Sequence, residues 1–225
     1  MNKIKTLLCA TLLALTSISA MAKDYQAVAF GVKSDGVTNN TRSIQHAIDY
    51  ISAQGGGRLV FYVGRYLTGS IELKSGVTLV IHEGAVLVAS PSVYDHKGSP
   101  RRALIHAQGQ HDIAITGKGI IDGNGHALIA DIAEQTARGY ADAKGEVPAL
   151  VALDRCKGVQ TSGVTMQNYA CPPLQFDHCH NVQVTAVTLG LSDAAMPLYE
   201  AKECGKMTVK DCLTCLLYTS PSPRD

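Results

Sequence analysis

A short segment that begins with cysteine occurs three times in the second half of the chain, and this repeat constrains the fold more than any other feature. The copies begin at Cys156, Cys179 and Cys204, at intervals of 179 − 156 = 23 and 204 − 179 = 25 residues. In each copy, two turn-forming or polar residues follow the cysteine, and apolar residues then occupy mostly alternate positions. Alternation of this kind indicates a β-strand with one buried face. A repeat length in the twenties that carries one such strand is typical of a solenoid.

Two weaker copies of the strand lie upstream, in residues 77–81 and 113–117. The intervals to the following copies are 113 − 77 = 36 and 159 − 113 = 46 residues, which predicts coils with inserted loops. One insertion, residues 126–148, has an alanine-rich core with helical character and is placed to rim a groove. Short apolar segments with glycine at many corners suit three strands per coil. We therefore predict an all-β fold, a parallel β-helix.

A capping helix is predicted near the N-terminus. Four apolar residues recur there at helical spacing: Ile44, Ala47, Ile48 and Ile51. Asn39 or Asn40 can cap its start, and the glycines at 55–57 end it. A solenoid needs such a cap because its first coil would otherwise expose an apolar end. Residues 25–30 alternate and predict an opening strand, while Asp35 is interpreted as a turn residue rather than a catalytic one.

The first 22 residues have the pattern of a secretory signal peptide. Lys3 and Lys5 precede an apolar run that is too short to span a membrane, and a small-x-small cleavage site ends at Ala22. The sequence therefore predicts an exported protein without a membrane span, periplasmic or extracellular. The predicted domains are the signal peptide at 1–22, an incomplete β-helix at 23–212 and a tail of non-native appearance at 213–225.

The charge balance argues against nucleic acid as a partner. The chain has 20 Lys+Arg and 19 Asp+Glu, and removal of the signal takes two lysines and no acid, which leaves 18 against 19. Without a basic cluster, such a surface suits neutral sugars or a uronate polymer better than a polynucleotide. We expect a monomer.

The repeated cysteines should stack, because they occupy the same phase of successive coils about 4.8 Å apart. Export permits disulfides, and this spacing is compatible with a bridge. Buried free thiols are the favoured alternative. No paired CxxC arrangement and no carboxylate cluster indicates a metal, so we expect no metal and no cofactor.

Three motifs in the first half occur together: FGVKSDG at 30–36, GRYLTGSIEL at 64–73 and ITGKGIIDGNG at 115–125. In combination they resemble glycoside hydrolase family 28, the polygalacturonases and rhamnogalacturonan hydrolases of the pectin-lyase-like superfamily. The resemblance covers roughly residues 24–212 and implies a right-handed helix. It also implies metal-free, inverting hydrolysis of pectin-type polysaccharide by paired carboxylates. Asp122 of the third motif is interpreted as a structural turn residue.

The family's catalytic signatures are missing from this chain. These are Asn-Thr-Asp, an Asp-Asp pair, Gly-His-Gly and Arg-x-Lys. The first should lie just before Cys204, where Asp193 and Glu200 are the carboxylates that could replace it, and Asp193 is the predicted catalytic candidate. The repeat pattern is lost after Cys212. We therefore expect an N-terminal fragment that lacks most of its catalytic residues and is inactive alone.

Residues 168–178 resemble the coil that lines the family's substrate cleft, with Cys171 or Pro172 and Gln175 at the usual aromatic and histidine positions. The predicted substrate-binding residues are Gln175, Asp177, His178 and Tyr199. A corner role for Asp177, in which its carboxylate bonds the turn backbone, is the competing interpretation.

Packing in the core or the groove wall is the alternative for Tyr199 and for Tyr169. Arg101 and Arg102 could pair with a uronate carboxylate or lie in a solvated loop. Two other functions remain open: a polysaccharide lyase on the same fold, and a non-catalytic β-helix that binds carbohydrate. Fold alone cannot choose among them, because function depends on the site.

Overall fold

The chain forms a right-handed parallel β-helix, seen in a computed structural model that describes residues 23–96, 102–140, 147–190 and 196–214. Three parallel sheets, A, B and C, run along the coil, and each turn contributes one strand to each sheet in that order. The strands of sheet A are β1 Asp24–Gln26, β2 Gly57–Phe61, β5 Val77–Ile81, β8 His111–Gly117, β11 Lys157–Ser162, β14 His180–Thr185 and β17 Met207–Lys210.

The other two sheets are built in the same way. The strands of sheet B are β3 Gly64–Thr68, β6 Ala85–Ala89, β9 Ile120–Asp122, β12 Thr165–Gln167, β15 Thr188–Leu189 and β18 Leu213–Thr214. The strands of sheet C are β4 Ile71–Glu72, β7 Ala103–Gln108, β10 Ala149–Asp154, β13 Leu174–Asp177 and β16 Tyr199–Lys202. The predicted tail boundary at 212 lies two residues before the end of β18, which pairs with β15.

Register in sheet A confirms the repeat intervals inferred from the sequence. Four residues of successive coils are paired in line with Thr78, namely Ala114, Gln160, Gln183 and Thr208. The steps are 114 − 78 = 36, 160 − 114 = 46, 183 − 160 = 23 and 208 − 183 = 25 residues, the values predicted from the strand copies. Insertions therefore lengthen individual coils without changing the pairing.

The inward row of sheet A shows how the core is filled. One side chain per coil lies in register and is at most 2 % exposed: Leu59, Leu79, Ile115, Thr161 and Val184. Thr161 is the polar member of this row, and its hydroxyl has no hydrogen-bond partner among the described residues. A buried hydroxyl in this state has lost its water without compensation.

We expect Thr161→Val to raise the free energy of unfolding by about 1 kcal/mol, because valine keeps the shape and removes the unbonded hydroxyl. Urea denaturation measures the change. The reverse substitution one coil along, Val184→Thr, is the matched control and should destabilise the protein by a similar amount. A loss of stability in Thr161→Val would show that its hydroxyl is satisfied.

Helix α1, Thr41–Ala53, closes the N-terminal end of the coil as predicted, and its four apolar side chains are fully buried. The capping geometry differs from the simple expectation. The backbone N–H of Thr41 donates to Asn39 Oδ1 at 3.0 Å, whereas the buried Asn40 side chain makes no capping bond and donates to the Leu67 carbonyl at 3.2 Å. Asn40 thus attaches the helix start to the first coil.

The predicted opening strand at 25–30 is wrong beyond Gln26. Residues Ala27–Phe30 form a single 3₁₀ turn instead. Gly31 ends the turn with a φ of 78° and donates its N–H to the Val28 carbonyl at 3.1 Å. The chain must turn here to reach the capping helix α1, and residues 27–30 therefore do not form the strand that their alternating pattern predicts.

The predicted insertion contains helix α2, Gly125–Ala137, which confirms its helical character. The helix is attached to a 3₁₀ turn at Val93–Asp95, because Asp131 Oδ2 accepts the Val93 N–H at 2.7 Å. Residues 141–146 of the insertion lie outside the described part of the chain.

None of the five cysteines in the described residues forms a disulfide with another of them. Cys156 and Cys179 are buried and stacked in successive coils, as the register of their neighbours Lys157 and His180 requires. Buried free thiols are therefore confirmed over bridges for Cys156 and Cys179, whereas Cys204, the third cysteine of the predicted stack, is free but only half-buried. The predicted signal peptide at 1–22 lies outside the described residues, and no helix within them is long and apolar enough to span a membrane.

His96 is a buried polar residue with a consequence for pH. It is 2 % exposed, and its Nε2 lies 2.8 Å from the Ser90 carbonyl oxygen, which can only accept. Nε2 therefore carries the proton, and Nδ1 has no partner among the described residues. Burial lowers the pKa of His96 below its ordinary value of 6.5. Protonation of folded His96 would place an N–H at Nδ1, where no described residue accepts it.

We expect the protein to lose stability as the pH falls below 6.5, because the unfolded imidazole then binds a proton that folded His96 does not. The loss continues until the pH reaches the lowered folded pKa, and each pH unit between the unfolded and folded pKa values corresponds to about 1.4 kcal/mol. Urea midpoints between pH 7.5 and pH 5 measure it. His96→Gln, whose amide can still donate to Ser90, should flatten the dependence, whereas exposed His46→Gln should not. Identical slopes in both variants would contradict this explanation.

Candidate functional site

The outer face of sheet C carries two rows of side chains that cross the coils. The first, called here the Gln175 row, consists of residues paired in register: Glu72, His106, Ala152, Gln175 and Glu200. The second, the Asp177 row, consists of Gln108, Asp154, Asp177 and Lys202. Between the rows lie the inward-facing Ala107, Leu153 and Phe176, which are buried in the core. The alternation of a strand therefore directs both rows away from the core.

A groove with a volume of about 460 Å³ lies at the later coils of this face and contains Gln175 and Glu200 on its floor. Its walls come from Arg102, Val147 and Cys171. The thiol of Cys171 donates to the Val147 carbonyl at 3.5 Å, and Gln175 Nε2 lies 3.9 Å from the same sulfur.

A separate small cavity of about 20 Å³ shares Gln175 and Glu200 with this groove. It is lined by three carboxylates from three successive coils, Asp154, Asp177 and Glu200. Lys202 lines it as well, so the acidic cluster contains one ammonium group. This concentration of acids in one concavity is what a glycosidase needs for proton transfer to and from a sugar chain. Among the described residues, no group of three or more His, Cys, Asp or Glu side chains is arranged to hold a metal ion.

The carboxylates differ in how firmly they are held. The Asp154 side chain is only 7 % exposed, accepts from Gln108 Nε2 at 3.0 Å and pairs with Arg155 Nη2 at 2.7 Å. It is therefore fixed by a cation and an amide. Asp177 is one-third exposed and pairs with His178 Nδ1 at 2.9 Å, while His178 Nε2 lies 2.9 Å from Glu203 Oε2. Asp177 is thus oriented by a histidine and remains partly exposed to solvent.

The corner between sheets C and A explains this arrangement. Arg155, His178 and Glu203 occupy the same corner in successive coils, with φ values of 49°, 50° and 48°. In the coil before them the corner residue is Gly109, with a φ of 64°. Left-handed backbone costs roughly 1–2 kcal/mol for a residue with a side chain. The three later corners therefore carry charged or imidazole side chains at some energetic expense, beside the acids of the groove.

The structure places the predicted site residues as follows. Gln175 lines the groove and Asp177 lines the small cavity beside it, whereas His178 lies at the corner between Asp177 and Glu203. Tyr199 pairs in register with the core residue Leu174 but is itself 37 % exposed, and it does not line the groove with Glu200. The predicted catalytic Asp193 lies outside the described residues.

Other sequence interpretations can be compared in the same way. Tyr169 is buried in the core, which confirms the packing alternative. Arg102 lines the groove, and Arg101 lies outside the described residues. Asp122 is buried and accepts from the Asn124 backbone at 3.0 Å, from Gln167 Nε2 at 3.0 Å and from Asn168 Nδ2 at 2.9 Å. These bonds support its structural role.

Sequence reasoning missed Asp154, and the repeat contained the signal for it. Asp154 precedes Cys156 by two positions, as Asp177 precedes Cys179. Two residues before each cysteine is therefore the outward position nearest the corner. His106 was missed as well, since its alignment with Gln175 depends on pairing across a long insertion.

Comparison with known proteins finds a matching protein family and individual relatives. The model of glycosyl hydrolases family 28 matches residues 60–206. The exo-poly-α-D-galacturonosidase of Dickeya chrysanthemi is 32% identical over 171 residues, which are 68% of this chain and 27% of that protein.

Two solved structures share the fold. One from Parabacteroides merdae, whose name places it among the glycosyl hydrolases, superposes with a TM-score of 0.83 at 49% identity and 86% coverage of each chain. The family 28 exopolygalacturonase of Yersinia enterocolitica has a TM-score of 0.74 at 25% identity, covering 85% of this chain and 43% of that one. The chain thus spans less than half the length of the Dickeya and Yersinia relatives.

Proposed function

This chain belongs to family 28 of the glycosyl hydrolases, and on that premise we propose that the protein hydrolyses glycosidic bonds in pectin-type polysaccharide. The observation that carries the proposal is the convergence of Asp154, Asp177 and Glu200 on one small cavity beside the groove on the outer face of sheet C. A polymer that lies along this groove crosses the strands and meets one residue of each row per coil.

Asp177 and Glu200 are the proposed acid–base pair. They lie on adjacent strands, two residues apart in register, because Gln175 pairs with Glu200 and Asp177 pairs with Lys202. Strand spacing and rise place their backbones about 8 Å apart. Inverting glycosidases hold their two carboxyl groups roughly 6.5–9.5 Å apart, so that a water fits between the base and the sugar. Two outward-facing side chains on backbones at this spacing can place their carboxyl groups within that range. One group then protonates the leaving oxygen while the other activates the water.

The other groove residues have binding roles in this proposal. Gln175 offers an amide to sugar hydroxyls, and Arg102 offers a fork of donors to a uronate carboxylate. Asp154 is held by Arg155 and Gln108 and positions the floor rather than transferring protons. His178 orients Asp177. Asp193 remains a further catalytic candidate from the sequence.

The test starts from the source locus, sequenced past the codon for Cys212, and uses the encoded protein without residues 1–22. Incubation with polygalacturonate should release reducing ends, without the ultraviolet absorbance that unsaturated products of a lyase would give. Unsaturated products would establish the lyase alternative. Binding of the polymer without any cleavage would reject hydrolysis and establish a carbohydrate-binding scaffold.

We also propose that the protein is exported, since residues 1–22 have the pattern of a signal peptide and its proposed substrate is a cell-wall polymer. Mass spectrometry of the protein recovered from the periplasm or medium should find a mature N-terminus at Lys23. Recovery of the uncleaved chain from the cytoplasm would contradict this.

A further inference from the structure

A second cleft lies on the same face of the helix, at its N-terminal end, and takes no part in the proposed chemistry. It has a volume of about 510 Å³, and its lining includes Asn39, Arg42, Ser70, Tyr94, Asp95 and His106. His106 belongs to the Gln175 row and precedes Gln175 by two strands, since it pairs with Ala152 and Ala152 pairs with Gln175. Two strand spacings amount to about 10 Å. The two concavities are therefore in line but separate.

The cleft offers polar groups that the fold does not use. Arg42 is exposed on the first turn of α1 and has no ion-pair partner among the described residues. His106 is half-buried, and neither ring nitrogen has a hydrogen-bond partner within the described part of the chain. A cation and an imidazole that face one concavity without partners can both bond to a ligand. A small number of polar groups that converge on one concavity is typical of a ligand-binding site.

Asp95 supplies a negative charge to the same cleft, and its carboxylate is held in place by hydrogen bonds. Its Oδ2 accepts from Asn39 Nδ2 at 3.0 Å and from the hydroxyl of Ser90. The carboxylate is therefore fixed toward the cleft, where its remaining oxygen is able to accept from hydroxyl groups of a ligand. Arg42 and Asp95 line the same space but do not form an ion pair with each other.

An aromatic ring forms one wall of the cleft. Tyr94 is 49 % exposed, and its hydroxyl lies 3.3 Å from Gln135 Oε1 and 3.2 Å from the Tyr140 carbonyl oxygen. These contacts come from the insertion that carries α2, so the insertion fixes the ring in its orientation. A half-exposed, immobilised aromatic ring beside polar groups is suited to the apolar face of a pyranose.

We propose that this cleft binds a uronic acid residue. Its carboxylate pairs with Arg42, its ring packs against Tyr94, and its hydroxyls bond to Asp95 and His106. The inference rests on the proposed function, which supplies the ligand. The uronic acid bound in this cleft is one unit of the acidic polymer that occupies the groove at Gln175 and Glu200. A chain that reaches both concavities gains affinity from two sites.

Titration calorimetry with tetragalacturonate, and with cellotetraose as a neutral counterpart, tests the proposal on the full chain without residues 1–22. Arg42→Gln should weaken binding of tetragalacturonate at least tenfold and leave cellotetraose unchanged, and Tyr94→Ala should weaken both. Arg65→Gln is the matched control, because Arg65 is exposed on sheet B and likewise has no ion pair among the described residues. It should bind as the unmodified protein does.

The inference is overturned if the unmodified chain does not bind tetragalacturonate, or if Arg42→Gln binds it as tightly as Arg65→Gln does. The proposed function fails separately. If the unmodified protein does not hydrolyse polygalacturonate but binds tetragalacturonate in an Arg42-dependent way, the proposed reaction is rejected and the uronate site is kept. Hydrolysis with binding that is independent of Arg42 keeps the reaction and rejects the site.

Discussion

Substitution of Gly117 by alanine is expected to lower the free energy of unfolding by about 3–5 kcal/mol, from backbone strain and overpacking together. Gly117 has a φ of 124°, and an added Cβ would lie against the carbonyl oxygen of Ile81. That carbonyl cannot retreat, since it accepts the Gly119 N–H at 2.8 Å. The glycines of the ITGKGIIDGNG motif thus allow two neighbouring coils to approach closely at a corner.

Thermal or urea unfolding measures this effect, and Gly109→Ala is its control. Gly109 also has a left-handed φ, 64°, but nothing lies within 4 Å of an added Cβ. Gly109→Ala should therefore lower the free energy of unfolding only through backbone strain, by about 1–2 kcal/mol. Equal losses in the two variants would mean that close approach of the coils contributes nothing.

The second large effect is expected at Glu200. Glu200→Gln removes the proton-transfer group and keeps the shape, so kcat for polygalacturonate hydrolysis should fall about 10²–10⁴-fold with little change in KM. Asp177→Asn should act on kcat in the same way, because the pair works as a unit. The measurement is release of reducing ends under saturating substrate.

Glu83→Gln, at an exposed turn between sheets A and B, is the matched control and should keep full activity. Asp193→Asn separates the proposed pair from the carboxylate singled out by the sequence. If Asp193→Asn abolishes turnover while Glu200→Gln does not, the pair is wrong and Asp193 is the catalytic acid or base. Unfolding midpoints of all variants show whether any loss comes from the fold instead.

Much of the fold was predictable because the coil repeats its own pattern. The cysteine-led segments fixed the phase of sheet A, and the register of Ala114 and Gln160 follows that phase through a 46-residue interval. The strand at 25–30 could not be judged from alternation, since Ala27–Phe30 must turn toward the capping helix. Local pattern fails where a segment serves the end of the solenoid rather than its repeat.

The candidate site was harder to predict for a different reason. Alternation shows that Gln175 and Asp177 face outward, but it does not show which of three outer faces is concave. That depends on walls from distant segments, such as Arg102 and Val147, and on pairing across an insertion. Tyr199 illustrates the limit, because it lies one step along the strand from Glu200, in register with the inward-facing Leu174, yet is itself 37 % exposed.

The rows across sheet C limit the ways in which such a groove can change in evolution. Each coil supplies one side chain to each row, so the binding surface lengthens only in whole turns, about 4.8 Å each. Duplication of a coil would add a complete set of contacts at unchanged spacing, whereas loops inserted at the corners would reshape the walls without moving the floor. The length of polymer that is recognised and the shape of its cleft can therefore vary independently in this architecture.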